Sequence, residues 1–191
     1  MTAMRCVKCY KQIQTPRCHH CGFSHREGVL LLGQPPASEL ALPVDLRLSE
    51  NPTATELWEL VQYGEEGNKE ACQLLADYYF SRVPEKLLKV RRDISEYRIA
   101  KQVSPEISRA IHWVRKLYSL KGTLSSGQRY LLSLELMLEP ATGTKGFNHL
   151  EKAAREGYRL AVWFLAVCLQ SGYYCKKDLE AARWWECQLY R

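Results

Sequence analysis

From Thr53 onward the apolar positions recur three and four residues apart, the spacing of one helix face. Leu57, Trp58, Leu60 and Val61 mark a first helix, with Thr53 or Thr55 as its cap and Glu56 in its first turn. Ala161, Leu165 and Ala166 share a face of a later helix, which Gly172 ends. Asp178 then caps another, carrying Ala182 and Trp185. Before Thr53 the pattern differs. Gln12-Ile13-Gln14 alternates as a short strand does, and Thr15-Pro16 is turn chemistry. From Ser24 to Pro52 neither period holds: a short apolar run, Val29 to Leu32, precedes a breaker cluster at Gly33 to Ser38, and Pro43 and Pro52 interrupt further. These patterns predict a small β domain over residues 1–26, a linker over 27–52 and a mainly α domain over 53–191.

The helical pattern repeats itself, a signature of stacked architectures. Gly67, Ala71, Leu75, Ala76 and Tyr79 are matched by Gly157, Ala161, Leu165, Ala166 and Leu169, and Ala110 and Trp113 by Ala182 and Trp185. A middle unit is expected to start near Ser126, with Tyr130, Leu131 and Leu134 at the same offsets. The starts near 126 and 161 are 35 residues apart and those near 71 and 126 are 55 apart, so the first interval holds an insertion, at about 81–105. Small residues let the two helices of a pair approach, large ones fill the gap to the next pair, and no pair buries its face alone.

Four cysteines form two C-x2-C knuckles, Cys6 with Cys9 and Cys18 with Cys21. Two intervening residues aim both sulfurs to one side, and two such knuckles complete the tetrahedral shell of Zn²⁺ at about 2.3 Å per thiolate. One structural zinc ion held by Cys6, Cys9, Cys18 and Cys21 is therefore expected. Its closed shell leaves no open position for catalysis. His19 or His20 replacing a cysteine is the alternative ligand set. Disulfides would need an oxidising compartment, and a thioredoxin-like centre would need a single pair beside a βαβ unit. The segment resembles the short zinc ribbons found at the N-termini of many bacterial proteins.

The helical part resembles the Sel-one-like repeat family, relatives of the tetratricopeptide repeats. The residues that carry the resemblance are Ala161, Leu165, Ala166, Gly172, Asp178, Ala182 and Trp185, with Ala153, Ala154 and Gly157 closing the preceding unit. The middle unit departs from the pattern, with Gly146 and His149 near the places of the family's Asp and Trp. The resemblance implies an α/α solenoid and a non-enzymatic scaffold or adaptor that holds another protein on its concave face. An immunity or regulatory protein of a bacterial cytoplasm is one form of that reading. Positions off the packing face are then candidate groove residues: Gln73, Asp77, Arg129, Ser133, Trp163 and Val167.

Charge adds a second candidate surface. The formal net charge is +6, yet it is concentrated: residues 1–26 carry five basic residues and no acid, and Arg82 to Lys101 carries seven basic residues against three acids. Arg5, Lys8, Lys11 and Arg17 offset the −2 formal charge of a zinc tetrathiolate. In the insertion, Leu87, Leu88, Val90 and Ile94 interleave with Lys86, Lys89, Arg91 and Arg92, as in an amphipathic helix or a projecting loop, making Lys89, Arg91 and Arg92 candidate contacts. Nucleic acid is the rival partner, reached through the ribbon and the basic insertion, although the remaining chain is net acidic. No phosphate loop, nucleophile elbow or His/carboxylate constellation points to an enzyme or a small-molecule substrate. No apolar run approaches the roughly 20 residues a membrane span requires. No apolar stretch of a secretory signal stands in Met1 to Cys9. The expected compartment is thus the cytoplasm, where the remaining cysteines, Cys72, Cys168, Cys175 and Cys187, act as small apolar side chains. Metal analysis of the purified full chain is expected to return one zinc ion per chain; two would require a second site built from Cys168, Cys175 and Cys187.

Overall fold

The computed structural model describes residues 52–190 together with Leu48. The expected ribbon (1–26), with its four metal ligands, and nearly all of the linker (27–52) lie outside the described residues. Among those described, all regular structure is helical, in the order α1 (Ala54–Glu65), α2 (Lys69–Phe80), α3 (Glu85–Leu88), α4 (Ser95–Val103), α5 (Pro105–Ser119), α6 (Ser126–Met137), α7 (Gly143–Arg155), α8 (Arg159–Ser171) and α9 (Leu179–Gln188). The chain divides into two compact units, Met1–Leu75 and Ala76–Arg191, with the boundary inside α2.

In the first unit, Thr53 caps α1 through a capping box with Glu56, which satisfies donors at both ends of the exchange. Leu60 and Val61 are buried. Asn68 opens α2: its Oδ1 accepts the Ala71 N–H at 3.0 Å. Cys72 is fully buried and donates its thiol to the Gly64 carbonyl at 3.4 Å, so it serves α1–α2 packing.

In the second unit, Ser104 caps α5 with Pro105 as the first helical residue, where a missing N–H costs nothing. Asp178 caps α9 by accepting the Ala181 N–H at 2.9 Å, and Gly172, at φ 77°, ends α8. Helices α6 and α7 pack against each other most extensively, α8 packs on α7 and α9, and α5 packs on both α4 and α6. Tyr130, Leu131, Leu132, Ser133 and Leu134 are all buried, so α6 is covered all round rather than on one stripe.

Three helices end alike. At α1, Gly67 N–H bonds Gly64 O at 3.1 Å and Asn68 N–H bonds Tyr63 O at 3.0 Å. At α7, Gly157 N–H bonds Ala154 O at 2.9 Å and Tyr158 N–H bonds Ala153 O at 3.1 Å. At α5, Lys121 N–H bonds Tyr118 O at 3.0 Å and Gly122 N–H bonds Leu117 O at 2.9 Å. Each is a Schellman cap closed by a left-handed residue. Gly67 (φ 90°) and Gly157 (φ 84°) occupy that position without a Cβ penalty, whereas Lys121 (φ 54°) adopts it as a non-glycine.

Helices α2, α6 and α8 also share a register when counted from their first residues. Ala71, Gln128 and Ala161 stand third, Leu75, Leu132 and Leu165 seventh, and Ala76, Ser133 and Ala166 eighth; all nine are buried. The expected middle-unit offsets are corrected by this: Tyr130, Leu131 and Leu134 stand two residues too early to be the counterparts of Leu75, Ala76 and Tyr79. Ser125 and Gln128 form a capping box, an S-x-x-Q signal in the sequence that sets the helix start.

In α5, α7 and α9 the residues Ala110, Gly146 and Ala182 are likewise buried. Gly146 makes the closest approach. A Cβ there would lie 2.8 Å from Ser133 O, 2.9 Å from Met137 N and 2.6 Å from Met137 Cγ. Two of these are backbone atoms that cannot swing aside. Gly146→Ala is therefore expected to lose up to about 2 kcal/mol in denaturant unfolding. Overpacking at about 1–3 kcal/mol outweighs the helix-propensity gain of about 1 kcal/mol.

Candidate functional site

The insertion neither projects from the body nor forms one amphipathic helix. It runs as α3, an irregular stretch over 89–92 with bends at Arg91 and Arg92, and then α4, with Leu88, Val90, Ile94 and Tyr97 all buried. Pro84 starts α3, and Lys89, extended at ψ 95°, ends it after one turn. Glu96 pins the stretch that follows: its carboxylate accepts the Arg91 N–H at 2.8 Å and the Arg92 N–H at 3.2 Å. Asp93 Oδ1 accepts the Ser95 N–H at 2.7 Å, and bonds from the Ser95 side chain and backbone hold the Asp93 carboxyl below the usual range. Backbone donors that water would otherwise serve are thus tied by local carboxylates, and the side chains of Lys86, Lys89, Arg91 and Arg92 remain exposed.

This segment lies over α6 and α8. The Tyr130 hydroxyl, fully buried, donates to the Leu88 carbonyl at 2.8 Å, and the Val90 backbone hydrogen-bonds the same hydroxyl. Burial holds the Tyr130 hydroxyl well above its ordinary pKa, so it stays a neutral donor. The Tyr158 ring stands 5.3 Å from that of Tyr130, and its hydroxyl is pushed up to about 12 by burial and by Glu85. Lys89 Nζ sits 5.7 Å from the centre of the Trp163 ring, within cation–π range. The Trp163 indole N–H is buried with no hydrogen-bond partner.

A second clamp holds α4 to α6. Glu135, whose side chain is 11% exposed, accepts Lys101 Nζ at 2.6 and 2.7 Å. Arg115 Nη1 lies 3.6 Å away, and Tyr97 Oη donates at 3.4 Å. Arg98 adds a bond to the Leu138 carbonyl at 3.4 Å.

The candidate residues separate on this geometry. Lys89 and Trp163 are brought together. Arg91 and Arg92 are exposed beside them in sequence. Asp77 Oδ1 instead accepts the Gln128 amide at 2.7 Å, so it satisfies a buried side chain. Arg129 bonds Glu156 at 3.1 Å and the Leu124 carbonyl at 3.1 Å. Ser133, expected off the packing face, is fully buried and donates to Tyr130 O at 2.6 Å; its helix position is that of Ala76 and Ala166. Val167 is half-buried, and its carbonyl accepts Ser171 Oγ at 2.9 Å. Gln73 is half-buried on the part of α2 in the first unit. Tyr130, Glu135 and Lys101 were missed as site residues. The S-x-x-Q start at Ser125 would have placed Tyr130 level with Gln73 and Trp163.

Other chemistry is structural. Cys168 is buried and Cys175 half-buried, and burial raises both thiols, away from the reactive thiolate. Among the described residues no group of three or more His, Cys, Asp or Glu is placed to hold a metal ion. No described helix is long and apolar enough to cross a membrane. His149 approaches Tyr118 Oη at 3.4 Å, and burial lowers its pKa, with Arg129 and Lys152 adding to the effect. Compared with protein-family models, curated proteins and solved structures, the chain has no match.

Tyr130→Phe is expected to destabilise the chain by about 1–3 kcal/mol in denaturant unfolding, because the covered Leu88 carbonyl loses its donor.

Proposed function

We propose that the chain is a non-enzymatic scaffold: a short Sel-one-like array of helical hairpins, headed by a zinc ribbon, that holds a partner protein on the face carrying Tyr130 and Trp163. The observation that carries the reading is the shared turn. Tyr63 to Asn68, Leu117 to Gly122 and Ala153 to Tyr158 close with the same pair of hydrogen bonds, and each leads into a helix with matched buried third, seventh and eighth positions. A chain that reuses one hairpin construction has the means to stack them, and stacked hairpins present side chains of their first helices along one face.

The basic side chains of Lys89, Arg91 and Arg92 then form the rim. Rim charges steer association and set its salt dependence more than they set affinity. The rival is nucleic-acid binding through the same cations. A pull-down with the full chain from nuclease-treated extract of its source cells separates the two. The scaffold reading expects one protein retained in fixed stoichiometry. Replacing Lys89, Arg91 and Arg92 by Ala together should weaken capture tenfold or less. Recovery of nucleic acid without protein from untreated extract, with binding that falls steeply as salt rises and vanishes in the triple variant, would favour the rival.

A further inference from the structure

The face that would hold a partner already holds a piece of this chain. Leu88 and Val90 are 2% and 1% exposed, and the residue between them, Lys89, stands over Trp163. The Leu88 carbonyl and the Val90 backbone satisfy the one hydroxyl, Tyr130, that α6 presents beneath them. A peptide laid in a groove makes contacts of this kind: backbone bonds for affinity, side-chain pockets for specificity. The fit is incomplete, since the Trp163 N–H is buried without an acceptor.

We infer that the segment Pro84–Val103 is a built-in ligand, and that the groove of α6 and α8 takes a partner segment of the form aliphatic–basic–aliphatic by displacing it. This rests on the scaffold reading above. The three required features follow from what the segment supplies. Two aliphatic side chains two residues apart fill the places of Leu88 and Val90. A carbonyl meets the Tyr130 hydroxyl. A cation between them covers the Trp163 face, and a partner carbonyl at Trp163 Nε1 would add the bond that the resident segment leaves unmade. Displacement is local in extent. The stretch 89–92 has no regular structure and Glu96 ties its turn internally, while beyond it the segment is anchored by the Lys89–Trp163 contact, the Lys101–Glu135 pair, the Tyr97–Glu135 and Arg98–Leu138 bonds, and the buried Ile94 and Tyr97. Regions tied down by few contacts open without the whole domain unfolding.

The test uses the full chain, its variant K89A/K101A, and a fluorescein-labelled peptide of this chain's residues 84–94. Lys89 is exposed and Lys101 partly exposed, so the variant loosens the segment without opening a cavity. Hydrogen exchange of the amides of residues 90–98 is expected to speed up at least tenfold in the variant, with α6 and α8 unchanged. The labelled peptide is expected to bind the variant at least tenfold more tightly than the unaltered chain, and Y130F introduced into the variant should weaken that binding. Equal peptide affinity for both proteins, or no binding to either, overturns the inference. On the unaltered chain alone, amides of 90–98 that exchange at the rates of α6 would also overturn it, since the segment would then be part of one cooperative core. The two readings fail separately. A partner captured equally by the unaltered chain and K89A/K101A, without competition from the peptide, leaves the scaffold standing and removes the displaceable ligand. Absence of any protein partner, with the peptide still binding the loosened variant, does the reverse.

Discussion

The phenol of Tyr130 lies where water cannot reach it, on a helix whose neighbouring residues are also buried. A buried hydroxyl needs a partner, and leaving its acceptor unmet costs about 1–3 kcal/mol. That demand fixes the segment 88–90 across α6, since the Leu88 carbonyl meets the hydroxyl at 2.8 Å. Once the segment is there, Leu88, Val90, Ile94 and Tyr97 find cover, and Lys101 comes within ion-pairing distance of Glu135. A stretch that carries much of the chain's basic charge thus covers part of the core with its apolar side chains. Its cations stay on the outside, because Glu96 has taken up the backbone N–H groups of Arg91 and Arg92.

Close approach between helices is the second constraint, and small residues meet it in different ways along the chain. Ala76, Ser133 and Ala166 hold the same position in α2, α6 and α8. Ser133 fills the place of an alanine by turning its hydroxyl back to the carbonyl of Tyr130, at 2.6 Å, which removes the cost of a buried polar group. Gly146 lets α7 approach the α6 backbone so closely that a Cβ there would meet Ser133 O and Met137 N. The large partners are less uniform. Trp113 is fully buried, whereas its counterpart Trp185 on α9 is half-buried.

Much of the helical part was legible from residues alone. Gly172 and Asp178 mark helix ends that the structure places at those residues, and of the two threonines offered as the first cap it takes Thr53, because caps and left-handed turns are short-range chemistry that each residue carries with it. The alternation of small and large residues in the first and last helices also reflected burial correctly, with Ala71, Leu75, Ala161 and Leu165 all in the core. The middle unit was read two residues out of register, since its glycine position is held by Lys121 and one of its alanine positions by Gln128. Lys121 takes the left-handed turn as a non-glycine, and the buried Gln128 depends on the distant Asp77.

The sequence by itself determined the start of the first helix, the end of α8 and the start of α9, which positions of α2 and α8 are small, and that the insertion is basic with an apolar thread. Only the tertiary structure decided where that thread goes. Leu88 and Tyr130 are far apart in the chain, and no periodicity links them. Their pairing follows from the cost of an unsatisfied hydroxyl in a dry interior, which exists only after the surrounding helices have closed around it.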